Sequence, residues 1–110
     1  MIDHARLKEL EDDFGAEDLS DLIDAFLIEA QEAVDTLDEL IADWSERRNR
    51  EQFHFLKGCA LNIGATEFAK LCESNEKSAH RLAEDDVEHV RAEFQKICDF
   101  FADDGLKRAG

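Results

Sequence analysis

The sequence predicts an all-α protein: an antiparallel up-down four-helix bundle with an additional short N-terminal helix. Three observations carry this. The 110 residues include no proline and only five glycines, so little in the chain interrupts a helix. Hydrophobic residues make up 44% and charged residues 37%, with Leu, Ala, Glu, Asp and Lys common, which is the composition of long amphipathic helices. Apolar residues recur at three- and four-residue steps, the helical period, almost throughout. The length suits one domain over residues 1–110.

The first helix is expected over about residues 3–12, with Ile2, Leu7 and Leu10 as its apolar contacts and Gly15, after Phe14, as a left-handed stop. The second covers about 17–42. Its stripe of Leu19, Leu22, Ile23, Phe26, Leu27, Ala30, Val34, Leu37 and Ile41 faces away from a row of acids. A turn follows near residues 42–45. Asp43, Trp44, Ser45 and Glu46 resemble a capping box with Asp43 as the cap, and Ser45 and Asn49 are rival caps. The third helix covers about 45–63 on Phe53, Leu56, Ala60 and Ile63. Gly64 ends it and Thr66 is placed to cap the fourth, over about 66–82, with Phe68, Leu71, Cys72, Ala79 and Leu82 inward. Asn75 is the one polar residue on that stripe. The last helix, about 86–103, carries Val87, Val90, Phe94, Ile97 and Phe101, and Asp103, Asp104 and Gly105 end it. Four amphipathic helices with short connections bury their stripes most simply by packing side by side, with the short first helix across one end.

The net charge of −15 sets the protein against phosphate backbones and anionic bilayers, so neither nucleic acid nor membrane is an expected partner. No apolar run approaches the roughly 20 residues needed to span a bilayer. The N-terminal residues lack the basic-then-apolar order of a signal peptide. Cys59, Cys72 and Cys98 are odd in number, widely spaced and without metal-ligand spacing, and read as reduced, buried thiols in a cytoplasmic protein. Four stripes close a core without a second copy, so a monomer is expected.

Among four histidines, His54 stands out. It lies one residue, about 100°, from Phe53 on the third helix and therefore toward solvent. Arg47, Arg50 and Lys57 fall on the same face at i−7, i−4 and i+3, a basic row in an acidic chain. Gly58 stands one turn on, although a mid-helix glycine costs about 1 kcal/mol relative to alanine. Taken alone, this is compatible with a solvated face and a glycine that permits helix packing. It is also compatible with a nucleophilic imidazole, neutral above pH 7, beside a cation for an anionic product and a gap for a partner.

His54, Leu56, Lys57, Gly58 and Gly64 match the signature of histidine-containing phosphotransfer (HPt) domains, in which a His is followed by Leu-Lys-Gly and by a second Gly ten residues after the His. The resemblance extends to Leu71 and Cys72 and to the break at Phe14 and Gly15 before a long helix. Glu76 falls where the family has Glu or Gln near the histidine. Asn75 departs from an expected apolar residue, and Cys59 stands where a small Ser is frequent. The resemblance implies that His54 takes and gives a phosphoryl group through Nε2, that Lys57 and Glu76 tune it, and that Gly58 gives access. It implies a phosphocarrier without a nucleotide site, in keeping with the absence of a Gly-rich phosphate loop, and not an enzyme. Partners would be receiver domains of response regulators or a hybrid sensor histidine kinase. No cofactor is expected on this chain, and Mg²⁺ would sit on the partner receiver.

Phe55 and Leu61 are off the main stripe and are candidates for docking, with Arg47 and Arg50; Phe55 can equally be half-buried between helices, and Leu61 can be a bundle-edge residue. Leu7, Leu10 and Leu19 flank the same end, with Leu19 packing inward. Two other readings stand beside the relay: a non-catalytic helical adaptor, and a metal-binding bundle using Glu76 with His80 or Asp86 with His89, although the sequence lacks the second motif and further carboxylates such a centre needs. His4 carries no signal.

Overall fold

The computed structural model describes residues 2–78 and 80–102. Five helices follow one another: α1 (His4–Phe14), α2 (Ala16–Ala42), α3 (Glu46–Asn62), α4 (Thr66–Lys77) and α5 (Glu84–Ala102). Helices α2, α3, α4 and α5 close in a ring, each packed on the next, and α1 packs on α2. The body is elongated, 42 × 21 × 20 Å. No helix among the described residues is long and apolar enough to cross a membrane.

The predicted stripes form the core. Leu7, Leu10, Leu19, Ile23, Val34, Leu37, Phe53, Leu56, Phe68, Cys72, Val87, Val90, Phe94 and Ile97 are buried together. On the long α2 the buried line drifts: Leu40 is fully buried, whereas Leu22, Phe26, Leu27 and Ile41 are only partly covered. Cys59 and Cys72 are buried and Cys98 is half-buried, all three as free thiols. Burial pushes the Cys72 thiol up to about 12, which keeps it protonated and unreactive at neutral pH.

Caps decide the ends. Asp3 starts α1, its carboxylate accepting from the backbone N–H groups of Ala5 and Arg6. The helix runs two residues beyond the expected end, to Phe14. Gly15 stops it with φ 83° and ψ 160°, an extended conformation with positive φ instead of the left-handed helical one expected. Ser45, not Asp43, caps α3: its hydroxyl accepts from Arg48 N–H at 3.2 Å, while Asp43 closes α2. Asn49 is no cap either, because it is buried inside α3.

Thr66 is the first residue of α4 and not its cap. Helix α4 has Ala65 at its N-cap position without a side-chain cap, and the turn at Gly64 closes the end of α3. Gly64 has φ +77°, its N–H donates to Leu61 O at 3.3 Å, and Ala65 N–H donates back to Ala60 O at 2.8 Å, so the last carbonyls of α3 are satisfied by a Schellman motif. The same turn receives the N-terminus. Asp3 N–H donates to Gly64 O at 2.7 Å, Ile2 pairs with Ala65, and Arg6 Nε donates to Asn62 O at 3.1 Å.

The fourth helix is shorter than expected. It ends at Lys77, and Ser78 is extended with its hydroxyl accepting from His80 N–H, a local turn that competes with another helical turn. Leu82 is still buried, but from the connection to α5 and not from α4. Ala79 and the Asp103–Gly105 stop lie outside the described residues. The last helix begins two residues early, at Glu84, with Asp86 accepting from Ala83 N–H.

A Cβ at Gly64 would stand 2.9 Å from Asp3 O and would also be forced into positive φ. Gly64→Ala is therefore expected to destabilise the fold by about 1–3 kcal/mol, with exchange protection lost first in α1. Equal stability in urea denaturation would refute this role for Gly64.

Candidate functional site

The α3–α4 hairpin brings the predicted residues together. His54 lies ten residues before Gly64 and Glu76 lies twelve after it. Both helices rise about 1.5 Å per residue, so the two positions return to nearly the same level. The His54 ring, 71% exposed, stands outside the core stripe as its step from Phe53 requires. Glu76 is largely covered, at 17% exposure, and bridges two α3 residues. Its Oε1 is 2.9 Å from His54 Nδ1 and its Oε2 is 3.0 Å from Lys57 Nζ.

This geometry fixes the tautomer. An ionised carboxylate only accepts, so in the neutral ring the proton sits on Nδ1 and the lone pair remains on Nε2. Burial by itself would push the Glu76 carboxyl upward. The hydrogen bonds and charges of Lys57 and His54 outweigh it and hold the group below its ordinary value.

Gly58 sits one turn beyond His54 with open space where a Cβ would project: nothing lies within 4 Å of it. Close helix packing therefore does not require this glycine. Gly64, by contrast, acts through the turn that levels the two helices and through its contact with α1, and touches neither His54 nor Glu76.

The basic row is not a free positive strip. Arg47 Nε pairs with Glu51 at 2.8 Å, Arg50 with Glu46 at 2.9 Å, and Lys57 with Glu76. Both acids on α3 sit one turn from their arginines, so the sequence already held the neutralising partners. The two arginine pairs are exposed, worth only about 0.3–0.5 kcal/mol each, and exchange readily.

Both predicted apolar candidates are exposed, Phe55 at 43% and Leu61 at 52%. Between α2 and α3 a shallow groove beside His54 is lined by Phe26, Glu29, Phe55, Gly58, Cys59 and Asn62. On the other side of Phe55 the depression continues along Glu29, Glu32, Thr36 and Gln52. Sequence reasoning had placed Phe26 in the core and passed over Glu29. The signal was the width of the α2 stripe, too broad for all of it to be covered.

Of the two pairs in the metal alternative, Asp86 and His89 share α5, whereas Glu76 and His80 are separated. Because α4 stops at Lys77, Glu76 and His80 do not share a helical face. Among the described residues no group of three His, Cys, Asp or Glu side chains converges on a point that could hold an ion.

The depressed Glu76 carboxyl has a linkage consequence. Its contribution to stability is present above the unfolded-state value and lost as pH falls through the lower folded value. Glu76→Gln is expected to be less stable than wild type at pH 7, with the gap closing as pH is lowered through and below the ordinary carboxylate range. A gap that is constant over that range, in denaturation titrations, would show that the charge is not what matters.

Comparison with known proteins agrees with the geometry. No curated protein and no solved structure matches the chain. The Hpt domain family model matches residues 21–100, which takes in most of α2 together with α3, α4 and nearly all of α5. Domains of this kind serve phosphotransfer in phosphorelays, as carriers of the group. A model covering that much of the chain, over a helical bundle with an exposed, carboxylate-held histidine, means that the protein belongs to the Hpt domain family.

Proposed function

We propose that this protein is a phosphorelay intermediate in which His54 Nε2 accepts a phosphoryl group from the aspartyl phosphate of one receiver domain and donates it to another. The observation that carries the reading is the pairing of an exposed ring with a covered carboxylate at 2.9 Å on Nδ1.

In the forward step the Nε2 lone pair forms the N–P bond. The P–O bond to the receiver's aspartate breaks, and the electron pair leaves with that carboxylate. No base is needed, because Nε2 carries no proton. The ring, substituted on Nε2 and still protonated on Nδ1, gains positive charge, which the adjacent Glu76 carboxylate offsets. Lys57, held on Glu76 before transfer, has the flexible stem to turn its ammonium to the phosphoryl oxygens afterwards. This chain supplies the nucleophile and its orientation. The acidic pocket and Mg²⁺ belong to the receiver. The chain acts as a monomeric phosphocarrier in the cytoplasm, with no nucleotide site and no reaction of its own beyond taking and giving the group.

The docking face is the α2–α3 side of His54. Phe55 and Leu61 supply exposed apolar area, and Phe26 extends it. Glu29 and Glu32 edge the groove, so a matching receiver, alone or within a hybrid kinase, carries basic residues around an apolar centre. Arg47 and Arg50 meet the partner's rim after exchanging their weak bonds to Glu51 and Glu46.

The test is transfer from a phosphorylated receiver domain. Acid-labile, base-stable label is expected on wild type and none on His54→Gln. Tight receiver binding with no label from any donor would instead leave a binding adaptor. Gly58→Ala separates access from stability. The alanine meets nothing in the free protein and is expected to stabilise α3 by about 0.5–1 kcal/mol while slowing transfer. Unchanged transfer kinetics would remove the access role of Gly58.

A further inference from the structure

We propose that Asn49 is a positioning residue for His54, acting through the end of α4: its amide grips the backbone next to Glu76 and so sets where the carboxylate stands. The inference rests on the reading of His54 as the phosphoryl acceptor and adds a residue that neither the signature motif nor the site geometry includes.

Asn49 is 2% exposed and is the one buried polar side chain among the described residues. It occupies a core position, four residues before Phe53, in the series that continues through Leu56 and Ala60. Packing alone calls for an apolar residue there. Its Oδ1 is buried without a hydrogen-bond partner, so the amide is held in place at a cost in burial. The gain lies at Nδ2, which donates to the backbone carbonyl of Asn75 at 3.1 Å.

The direction of that bond follows from the hairpin. Carbonyls of α4 point toward its C-terminus, and α4 runs back toward the start of α3, where Asn49 lies. The Asn75 carbonyl belongs to the last turn and, among the described residues, otherwise receives only the N–H of Ser78, at 3.3 Å. It shares one rigid peptide plane with the Glu76 N–H, so fixing this oxygen fixes the plane that carries the Glu76 Cα. The Asn75 side chain turns inward on the same helix, its amide donating to Leu71 O at 3.0 Å. Helix α3 thus holds the end of α4 through Asn49, His54 and Lys57, over about 12 Å of its length. The first grips backbone; the other two grip the Glu76 carboxylate.

Without Asn49 the final turn of α4, which has no glycine stop and runs straight into an extended Ser78, is free to fray. Glu76 is the residue before its last. Its carboxylate then leaves Nδ1 for part of the time, and the proton is no longer confined to Nδ1.

The test is Asn49→Leu in the whole protein, with two readouts: the His54 tautomer, from ring ¹⁵N shifts at a pH where the imidazole is neutral, and the rate of transfer from a phosphorylated receiver. The inference predicts a folded variant no less stable than wild type, a substantial Nε2–H population on His54, and transfer slowed about 10-fold or more. Wild-type tautomer and wild-type rate in a folded Asn49→Leu would overturn it and leave Asn49 as a packing residue. If Asn49→Leu does not fold, Asn49→Ala is scored by the same two signals. A wild type that holds the Nδ1–H tautomer but accepts no phosphoryl group would refute the relay function. The tautomer comparison would still decide the role of Asn49.

Discussion

The Glu76 carboxylate joins α3 to α4 by meeting His54 Nδ1 with one oxygen and Lys57 Nζ with the other. An exposed imidazole on a helix would ordinarily rotate and share its proton between two nitrogens. With a covered, ionised acceptor on Nδ1, the ring has one proton position, one orientation and one available nucleophilic atom. The Lys57 ammonium and the hydrogen bond from His54 keep the carboxylate ionised in spite of its burial. Exposure of the ring and burial of its partner are therefore complementary: the first leaves Nε2 open to approach, and the second keeps water from replacing the bond that orients the ring.

That constraint organises the rest of the bundle. Glu76 and His54 meet because the turn at Gly64 reverses the chain with few residues between helices, so equal lengths of α3 and α4 lie side by side. Gly64 can be only glycine, since its positive φ and the approach of Asp3 leave no room for a Cβ. Helix α1 packs on α2 and fastens to the hairpin through Ile2, Asp3 and Arg6. The core stripes of α2 and α5 close the other sides. The two signature glycines thus differ in setting: Gly64 builds the hairpin, and Gly58 has open space where a Cβ would project.

Much of this was legible in the sequence because it depends on local periodicity. The steps of Phe53, Leu56 and Ala60 define the α3 core face, and His54 falls beside it without any tertiary information. The bundle class and four of the five helix ranges followed within about two residues at each end. What was not legible was set by contacts between distant segments. The end of α4 carries no glycine or proline, and its stop at Lys77 depends on Ser78 and on Asn49 from another helix. Asn75 looked like a flaw in the stripe, yet its backbone is where α3 takes hold. Thr66 looked like a cap, yet it is the first residue of α4, which follows the Schellman turn of α3 so closely that it starts without a side-chain cap. The apparent basic strip came from reading cations alone, when Glu46, Glu51 and Glu76 were each within reach of one.

The central claim is that the bond from Glu76 makes Nε2 the reacting atom of His54. The most direct measurement is the position of the phosphoryl group after transfer, read from ¹⁵N–³¹P correlations on the labelled, phosphorylated protein. Attachment at Nε2 of His54, with Nδ1 still bearing a proton toward Glu76, is the predicted result. Attachment at Nδ1, or on any other residue, would contradict it.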